Sequence, residues 1–194
     1  CLESRTCQET ESKPQPMVLI GNIPIIHHIM NHYSKYGIHN FIICAGYKSE
    51  SIKKYFLDLF NLPDIIDINY RKNVITNTNL IKKEFAKWKV QIIDTGVNSN
   101  TGWRIKKVEK YIEESNFHLT YGDGLSNVNL ERLTYQHHKS SKSLVTISAV
   151  KSSDRFGSLV IDKKDMVSKF VEKNNKNEKF MNGGFQIVNK KALD

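Results

Sequence analysis

Cysteine, tryptophan and proline are scarce in this chain of 194 residues: three, two and four. The cysteines, Cys1, Cys7 and Cys44, are odd in number and match no metal-ligand spacing, which excludes a disulfide-built scaffold and a zinc ribbon. They are read as reduced thiols of a cytoplasmic protein, with Cys44, inside Phe41-Ile42-Ile43-Cys44, a small core residue. No apolar run approaches the length of a bilayer span, so no membrane partner is expected. The amino end, Cys1-Leu2-Glu3-Ser4-Arg5, lacks the apolar stretch of a signal peptide. There is no internal repeat, no flexible linker, no helix-turn-helix signature, no RNP-type motif and no zinc knuckle. Acidic residues are outnumbered, 20 against 29 basic, for a net charge of +9. That balance raises nucleic acid as a partner, but the lysines are scattered and their runs are short. A small phosphorylated substrate suits the charge equally well, and no nucleic acid is expected.

What is present is an alternation of short strands and amphipathic helices. Residues 1–16 are polar and without period, and Lys13-Pro14-Gln15-Pro16 argues against helix. Ile25–Tyr36 reads as a helix with Ile25, Ile29, Tyr33 and Tyr36 on one face and Gly37 closing it. His28 and His32 stand four apart on it, a spacing that fits a metal pair and fits packing better. Phe41–Ala45 is a continuous apolar run, as in a strand buried on both faces, and Ser51–Leu59 reads as the next helix. Residues 65–70 and 74–80 read as edge strands. Lys89–Asp94 is a strand leaving through Thr95-Gly96, and Arg104–Ile112 a helix. Phe117–Tyr121 is a strand, and Asn129 caps a helix from Leu130 to about His138. His137 and His138 end that helix, where a cation is favoured. Leu144–Val150, Ser158–Ile161 and Met166–Val171 read as strands, the last two as an antiparallel hairpin, with a polar loop over 174–179 and a final strand through Gln186–Val188. The order predicts an α/β fold: a Rossmann-like mixed, mainly parallel sheet with helices on both faces, as one domain over 1–194, truncated at both ends.

The stretch of most chemical interest is Phe117–Gly124, where an apolar strand runs into Tyr121-Gly122-Asp123-Gly124. Alone it reads as a turn, since Asp-Gly is a common turn dipeptide. At the carboxyl edge of an α/β sheet the same carboxylate suits a hard cation such as Mg²⁺, which shares its shell with substrate phosphates.

Taken in order, the motifs resemble those of the sugar-1-phosphate nucleotidyltransferases, in particular the glucose-1-phosphate cytidylyltransferase branch. Leu2-Glu3-Ser4-Arg5 is similar to the end of that family's glycine-rich Gly-Thr-Arg loop, and Lys13-Pro14-Gln15-Pro16-Met17 to its Lys-Pro-Lys-Pro-Met segment. Asp94-Thr95-Gly96 with Thr101-Gly102-Trp103-Arg104 resembles its Asp-Thr-Gly and Thr-Gly-Gly-Arg pair. Tyr121-Gly122-Asp123-Gly124, Phe170-Val171-Glu172-Lys173 and Asn182-Gly183-Gly184-Phe185 complete the order. The resemblance implies transfer of a cytidylyl group from CTP to glucose 1-phosphate, giving CDP-glucose and pyrophosphate for polysaccharide biosynthesis. It implies Mg²⁺ as cofactor, held by Asp123, and a homo-oligomer. Arg5 and Asp123 take the catalytic roles. Ser4, Arg5, Gln15, Ser99, Arg104 and Gly122 fall at nucleotide positions, and Glu172, Lys173, Asn182 and Gly183 at sugar-phosphate positions.

The chain departs from the family pattern at points that bear on activity. Glu3 stands where the family has glycine, beside a triphosphate. Gln15 replaces a lysine, and Trp103 a glycine next to Arg104. The first strand and its glycines are not in the chain, nor is the region that supplies a second metal-binding aspartate. Glu3 and Gln15 together predict weak or no CTP turnover. The alternatives are a related enzyme with another nucleotide or sugar, and a degenerate, non-catalytic nucleotide-binding protein or fragment.

Overall fold

A computed structural model describes residues 13–61, 65–78, 87–140, 142–152, 158–171 and 179–194. The chain divides into two units, residues 1–111 and 112–194.

The first unit opens with a single 3-10 turn, Gln15–Met17, in a segment where Pro14 and Pro16 preclude a longer helix. Two-residue strands β1 (Leu19–Ile20) and β2 (Ile23–Pro24) pair around Gly21, whose φ is 63°. Helix α1 (Ile25–Ser34) follows, then strand β3 (Asn40–Ala45) and helix α2 (Ser49–Asn61). Strands β4 (Ile65–Asn69) and β5 (Val74–Thr78) form an antiparallel hairpin. Strand β6 (Lys89–Asp94) returns beside β3, parallel and in register from Asn40 opposite Lys89 to Ala45 opposite Asp94. Helix α3 (Thr101–Val108) ends the unit, extended by a 3-10 turn to Tyr111.

Strand alternation explains how helices come to lie on both faces of the β3–β6 pair. Phe41, Ile43 and Ala45 share a core with Ile26 and Met30 of α1 and Ile52 of α2. Cys44, on the opposite face, donates its thiol hydrogen to the Arg104 carbonyl of α3 at 3.9 Å, and burial pushes that thiol's pKa up despite the nearby guanidinium. Helix α1 buries a wider stripe than its expected face, with Ile26, His27 and Met30 joining Ile29 and Tyr33. His27 places Nδ1 2.6 Å from the Tyr55 hydroxyl. His28 and His32 take separate partners: His28 Nε2 donates to the Ile20 carbonyl at 3.2 Å and His32 lies edge-on to Tyr36.

The second unit is built on strand β11 (Lys179–Asn189), with β7 (Asn116–Leu119), β8 (Val145–Ser152), β9 (Ser158–Ile161) and β10 (Val167–Val171) around it. All of its described pairings are antiparallel, including the expected β9–β10 hairpin. The mixed α/β class therefore holds. Among the described residues parallel pairing is confined to β3–β6 and antiparallel pairing takes the larger share, because β1–β2, β4–β5 and β9–β10 are hairpins and β11 runs opposite to β7, β8 and β9. Helix α4 (Leu130–Lys139) lies against β8 and β11. It starts where Asn129 accepts a hydrogen bond from the Arg132 amide at 2.8 Å, and it buries Leu130, Leu133 and His137, one face of its turns. Phe185 and Leu130 are each only 1% exposed; truncating a side chain so enclosed costs about 2–5 kcal/mol.

His137 behaves otherwise than its place at a helix end suggests. It is buried, with Nδ1 2.8 Å from the Thr146 hydroxyl and Nε2 3.2 Å from Asn116 Oδ1. An amide oxygen only accepts, so Nε2 carries the hydrogen and Nδ1 accepts from Thr146. Burial, and secondarily the charge of His138, lower its pKa, so desolvation outweighs the helix-end preference for a cation. Burial and His137 lower that of His118. The unfolded chain, with histidines near their ordinary 6.5, thus binds protons that the folded chain does not. Stability is therefore full above that value and falls as the pH drops below it. Urea midpoints measured between about pH 7.5 and pH 5.5 should decline on acidification, and His137→Gln should flatten the decline.

Candidate active site

Within the first unit, the carboxyl ends of the parallel strands β3 and β6 meet in one hydrogen-bonded cluster. Thr95 is fully buried, and its amide and hydroxyl both donate to the Ala45 carbonyl, at 2.8 and 2.7 Å. Arg104, from the first turn of α3, donates Nη1 to the Thr95 hydroxyl at 2.6 Å and to the Ala45 carbonyl at 3.2 Å, and Nη2 to the Val97 carbonyl at 3.1 Å. Its guanidinium lies over Gly46, where a Cβ would come within 2.7 Å of Nη2 and nearer still to Nη1. Only glycine admits the arginine there. Ser99 donates its hydroxyl to the Thr95 carbonyl, and Lys107 Nζ donates to the same oxygen at 2.8 Å. Asp94 accepts from the Gly96 amide at 2.8 Å, and Gly96 takes φ of 92°, the left-handed region. Helix α3 can start at Thr101, ahead of the expected Arg104, because Asn100 caps it through the Trp103 amide at 2.8 Å.

In the second unit, strand β7 leaves the sheet into Tyr121-Gly122-Asp123-Gly124. Gln186 pairs with Leu119, and the same register continued two residues sets Tyr121 level with Gly184. The contact is direct: a Cβ on Gly184 would lie 2.7 Å from Tyr121 Cδ2. Asn182 Nδ2 approaches the Tyr121 hydroxyl at 3.5 Å, and Asn182 Oδ1 accepts from the Gly184 amide at 2.9 Å. These residues form a bulge in β11. Asn182 pairs with Ala149 and Gln186 with Ile147, so residues 183–185 stand opposite Ser148 alone. Gly184 has φ of 89°, and a Cβ on Gly183 would sit 2.9 Å from the Ser148 carbonyl. The glycine pair is thus demanded twice, by conformation and by space.

Among the sequence-derived candidates, Ser99 and Arg104 fall together in the first cluster; Asn182 and Gly183 lie in the β11 bulge, and Gly122 and Asp123 directly follow the Tyr121 that packs on it. Gln15 lies in the 3-10 turn, its carbonyl accepting from the Val18 amide at 3.1 Å. Ser4, Arg5, Glu172 and Lys173 lie outside the described residues, as does Glu3. Trp103 is exposed on α3. Three residues escaped the sequence reading. Thr95 was read as a strand exit and as part of the Asp94-Thr95-Gly96 motif without a role of its own, and Lys107 and Tyr121 were given none. The place of a tyrosine between an apolar strand and Gly122 was the available signal for the last.

Asp123 is exposed, and a Cβ on Gly124 would meet nothing within 4 Å, so the approach to the carboxylate is open. Among the described residues no three His, Cys, Asp or Glu side chains gather to hold a metal. One open carboxylate fits a hard cation that takes its remaining ligands from phosphates and water, as Mg²⁺ does.

A parallel strand pair with helices on both faces, glycine-bearing turns at its carboxyl edge and an aspartate turn on a second strand set define a nucleotide-handling α/β protein, and the chain belongs to the nucleotidyl transferase family, whose model matches residues 9–194. It is 37% identical to the glucose-1-phosphate cytidylyltransferase of Salmonella typhimurium over the whole of this chain and 74% of that enzyme. The enzyme of the same name from Salmonella typhi gives the same identity and coverage. Among solved structures it resembles HddC from Yersinia pseudotuberculosis, with a TM-score of 0.69 and 27% identity over 93% of this chain and 69% of that one.

The packing of Gly184 on Tyr121 is open to test. Gly184→Ala should destabilise the protein by about 1–3 kcal/mol, from backbone strain at positive φ and displacement of the ring. Urea unfolding measures the loss, and the tyrosine near-ultraviolet circular dichroism reports the displaced ring.

Proposed function

We propose that this protein transfers a cytidylyl group from CTP to glucose 1-phosphate, forming CDP-glucose and releasing pyrophosphate. The observation that carries the reading is the packing of Tyr121, which opens the Tyr121-Gly122-Asp123 turn, against Gly184 and Asn182 of the bulge. It joins two motifs 61 residues apart in a chain that over its own whole length is 37% identical to glucose-1-phosphate cytidylyltransferases.

In this reading an oxygen of the sugar phosphate attacks the α-phosphorus of CTP in line. The new P–O bond forms as the bond to the β-phosphate oxygen breaks, and pyrophosphate carries that electron pair away. No covalent enzyme intermediate is needed, so the side chains act by positioning and charge neutralisation. Arg5 neutralises the β- and γ-phosphates, with Ser4 and the backbone around it beside the triphosphate. Gln15, Ser99, Arg104 and Gly122 belong to the nucleotide side. Glu172, Asn182 and Gly183 hold the sugar phosphate, with Lys173 as a point charge on the phosphate. Asp123 would hold Mg²⁺, which when bound neutralises charge on the reacting phosphates. The partners are CTP and the sugar phosphate, without nucleic acid or membrane. The same reading places the protein in the cytoplasm, in polysaccharide biosynthesis, as a homo-oligomer. Among the described residues no helix is long and apolar enough to cross a membrane.

Glu3 and Gln15 favour a second reading, a nucleotide-binding protein with little turnover, because one adds a negative charge beside the triphosphate and the other removes a positive one. Isothermal titration with CTP, UTP and dTTP, with and without Mg²⁺, separates the readings. CTP-selective binding accompanied by CDP-glucose formation supports the first, and binding without product the second. Gln15→Lys should tighten CTP binding about tenfold, the worth of one charge-assisted contact to phosphate. Asp123→Asn should lower product formation at least about 100-fold and leave the urea midpoint in place, since its side chain is exposed; chelation of Mg²⁺ should do the same. CDP-glucose formation indifferent to both would remove Asp123 from the mechanism.

A further inference from the structure

The Thr95–Ser99 turn presents an unusual face to α3. Two of its backbone carbonyls, Thr95 and Val97, and the neighbouring Ala45 carbonyl accept hydrogen bonds from side chains of that helix. Gathered carbonyl oxygens repel one another, and a cation among them removes the repulsion. Arg104 supplies one cation and Lys107, three residues on and so on the same face of α3, supplies a second. Lys107 is exposed, with a long flexible stem, yet its Nζ sits 2.8 Å from a carbonyl that already accepts from Ser99. Gly96 has φ of 92°, and a Cβ there would stand 3.2 Å from Ser99 Oγ and 3.6 Å from Lys107 Nζ. A planar trans peptide points its N–H opposite to its C=O. Turning the Thr95 carbonyl toward α3 therefore turns the Gly96 amide hydrogen away from it, where it donates to Asp94 Oδ1 at 2.8 Å.

We infer that Lys107 is a positioning residue for nucleotide recognition: by holding the Thr95 carbonyl against α3 it fixes the orientation in which the turn offers its other side to the nucleotide. The inference rests on the proposed cytidylyl transfer for the identity of the ligand, and on the geometry alone for the fixing of the turn. Lys107 touches no substrate in this account; it acts through the backbone of residues 95–99.

Two measurements on the full chain test it, with Lys107→Met and Lys107→Arg compared with the unaltered protein. The first is hydrogen exchange at the amides of residues 95–99 without nucleotide. Lys107→Met should raise it about tenfold, the worth of one hydrogen bond, and Lys107→Arg should restore protection. The second is CTP affinity by titration alongside kcat. Lys107→Met should raise the Kd for CTP about tenfold with kcat within about twofold, again restored by arginine. A purely structural lysine would lower the unfolding midpoint and leave Kd unmoved, and that result overturns the inference. So does unchanged exchange at the turn, or a fall in kcat with Kd unchanged. An unaltered protein that binds no CTP overturns the cytidylyl-transfer reading and, with it, the nucleotide role of Lys107, while the exchange measurement still decides whether the lysine fixes the turn.

Discussion

The Ala45 carbonyl closes the last rung of the parallel β3–β6 pair, and three donors converge on it: the Thr95 amide, the Thr95 hydroxyl and Arg104 Nη1. At the end of a parallel ladder each strand has a carbonyl or amide with no further partner in the sheet. When the strand ends are buried, leaving such a group unpaired costs about 1–3 kcal/mol. Here the oxygen that accepts the Thr95 amide also takes the Thr95 hydroxyl and an arginine from the next helix. Everything at this edge follows from that recruitment. Arg104 crosses Gly46, where a Cβ would displace its guanidinium, and Thr95 is fully buried. Asn100 then starts α3 early enough for Arg104 to reach.

The second unit meets the same requirement differently. Strand β11 pairs with β8 along its length and, on its other side, with β9 at its beginning and β7 at its end. A strand that changes neighbours partway needs slack, and the bulge at residues 183–185 supplies it. The side chain of Asn182 closes the bulge from within by accepting the Gly184 amide. The bulge lies level with the exit of β7, so the slack needed for pairing also brings Asn182 and Tyr121 together. The placement of a polar side chain beside the Asp123 turn is a by-product of sheet register.

The histidines illustrate how burial sorts like residues into unlike roles. His28 and His32, four apart on α1, take up a backbone carbonyl and an aromatic edge. His137 is enclosed between α4 and β8, where two neutral partners and a lowered pKa make it an uncharged strut. Helix position alone argues for a cation at residue 137, but desolvation is the larger effect.

Much of the fold was legible because periodicity is local. Continuous apolar residues at Phe41–Ala45, the Asn129 cap and the hairpin after Ser158 each carry their structure in neighbouring residues. The order of short motifs was likewise readable, and it is what points to a nucleotidyl transferase. Long-range pairing was not, since such a strand's partner is set by residues far along the chain; the expected loop over 174–179 gives way at Lys179 to β11, whose early half is held by β8 rather than by any pattern of its own. The sequence by itself determined which residues can serve: a lone aspartate between glycines, an arginine and a lysine one turn apart, an asparagine before two glycines. Only the tertiary structure decided what they touch, because hydrogen-bond reach is about 3 Å and the groups that need partners, the Ala45 and Thr95 carbonyls and the Gly184 amide, are created by the fold itself.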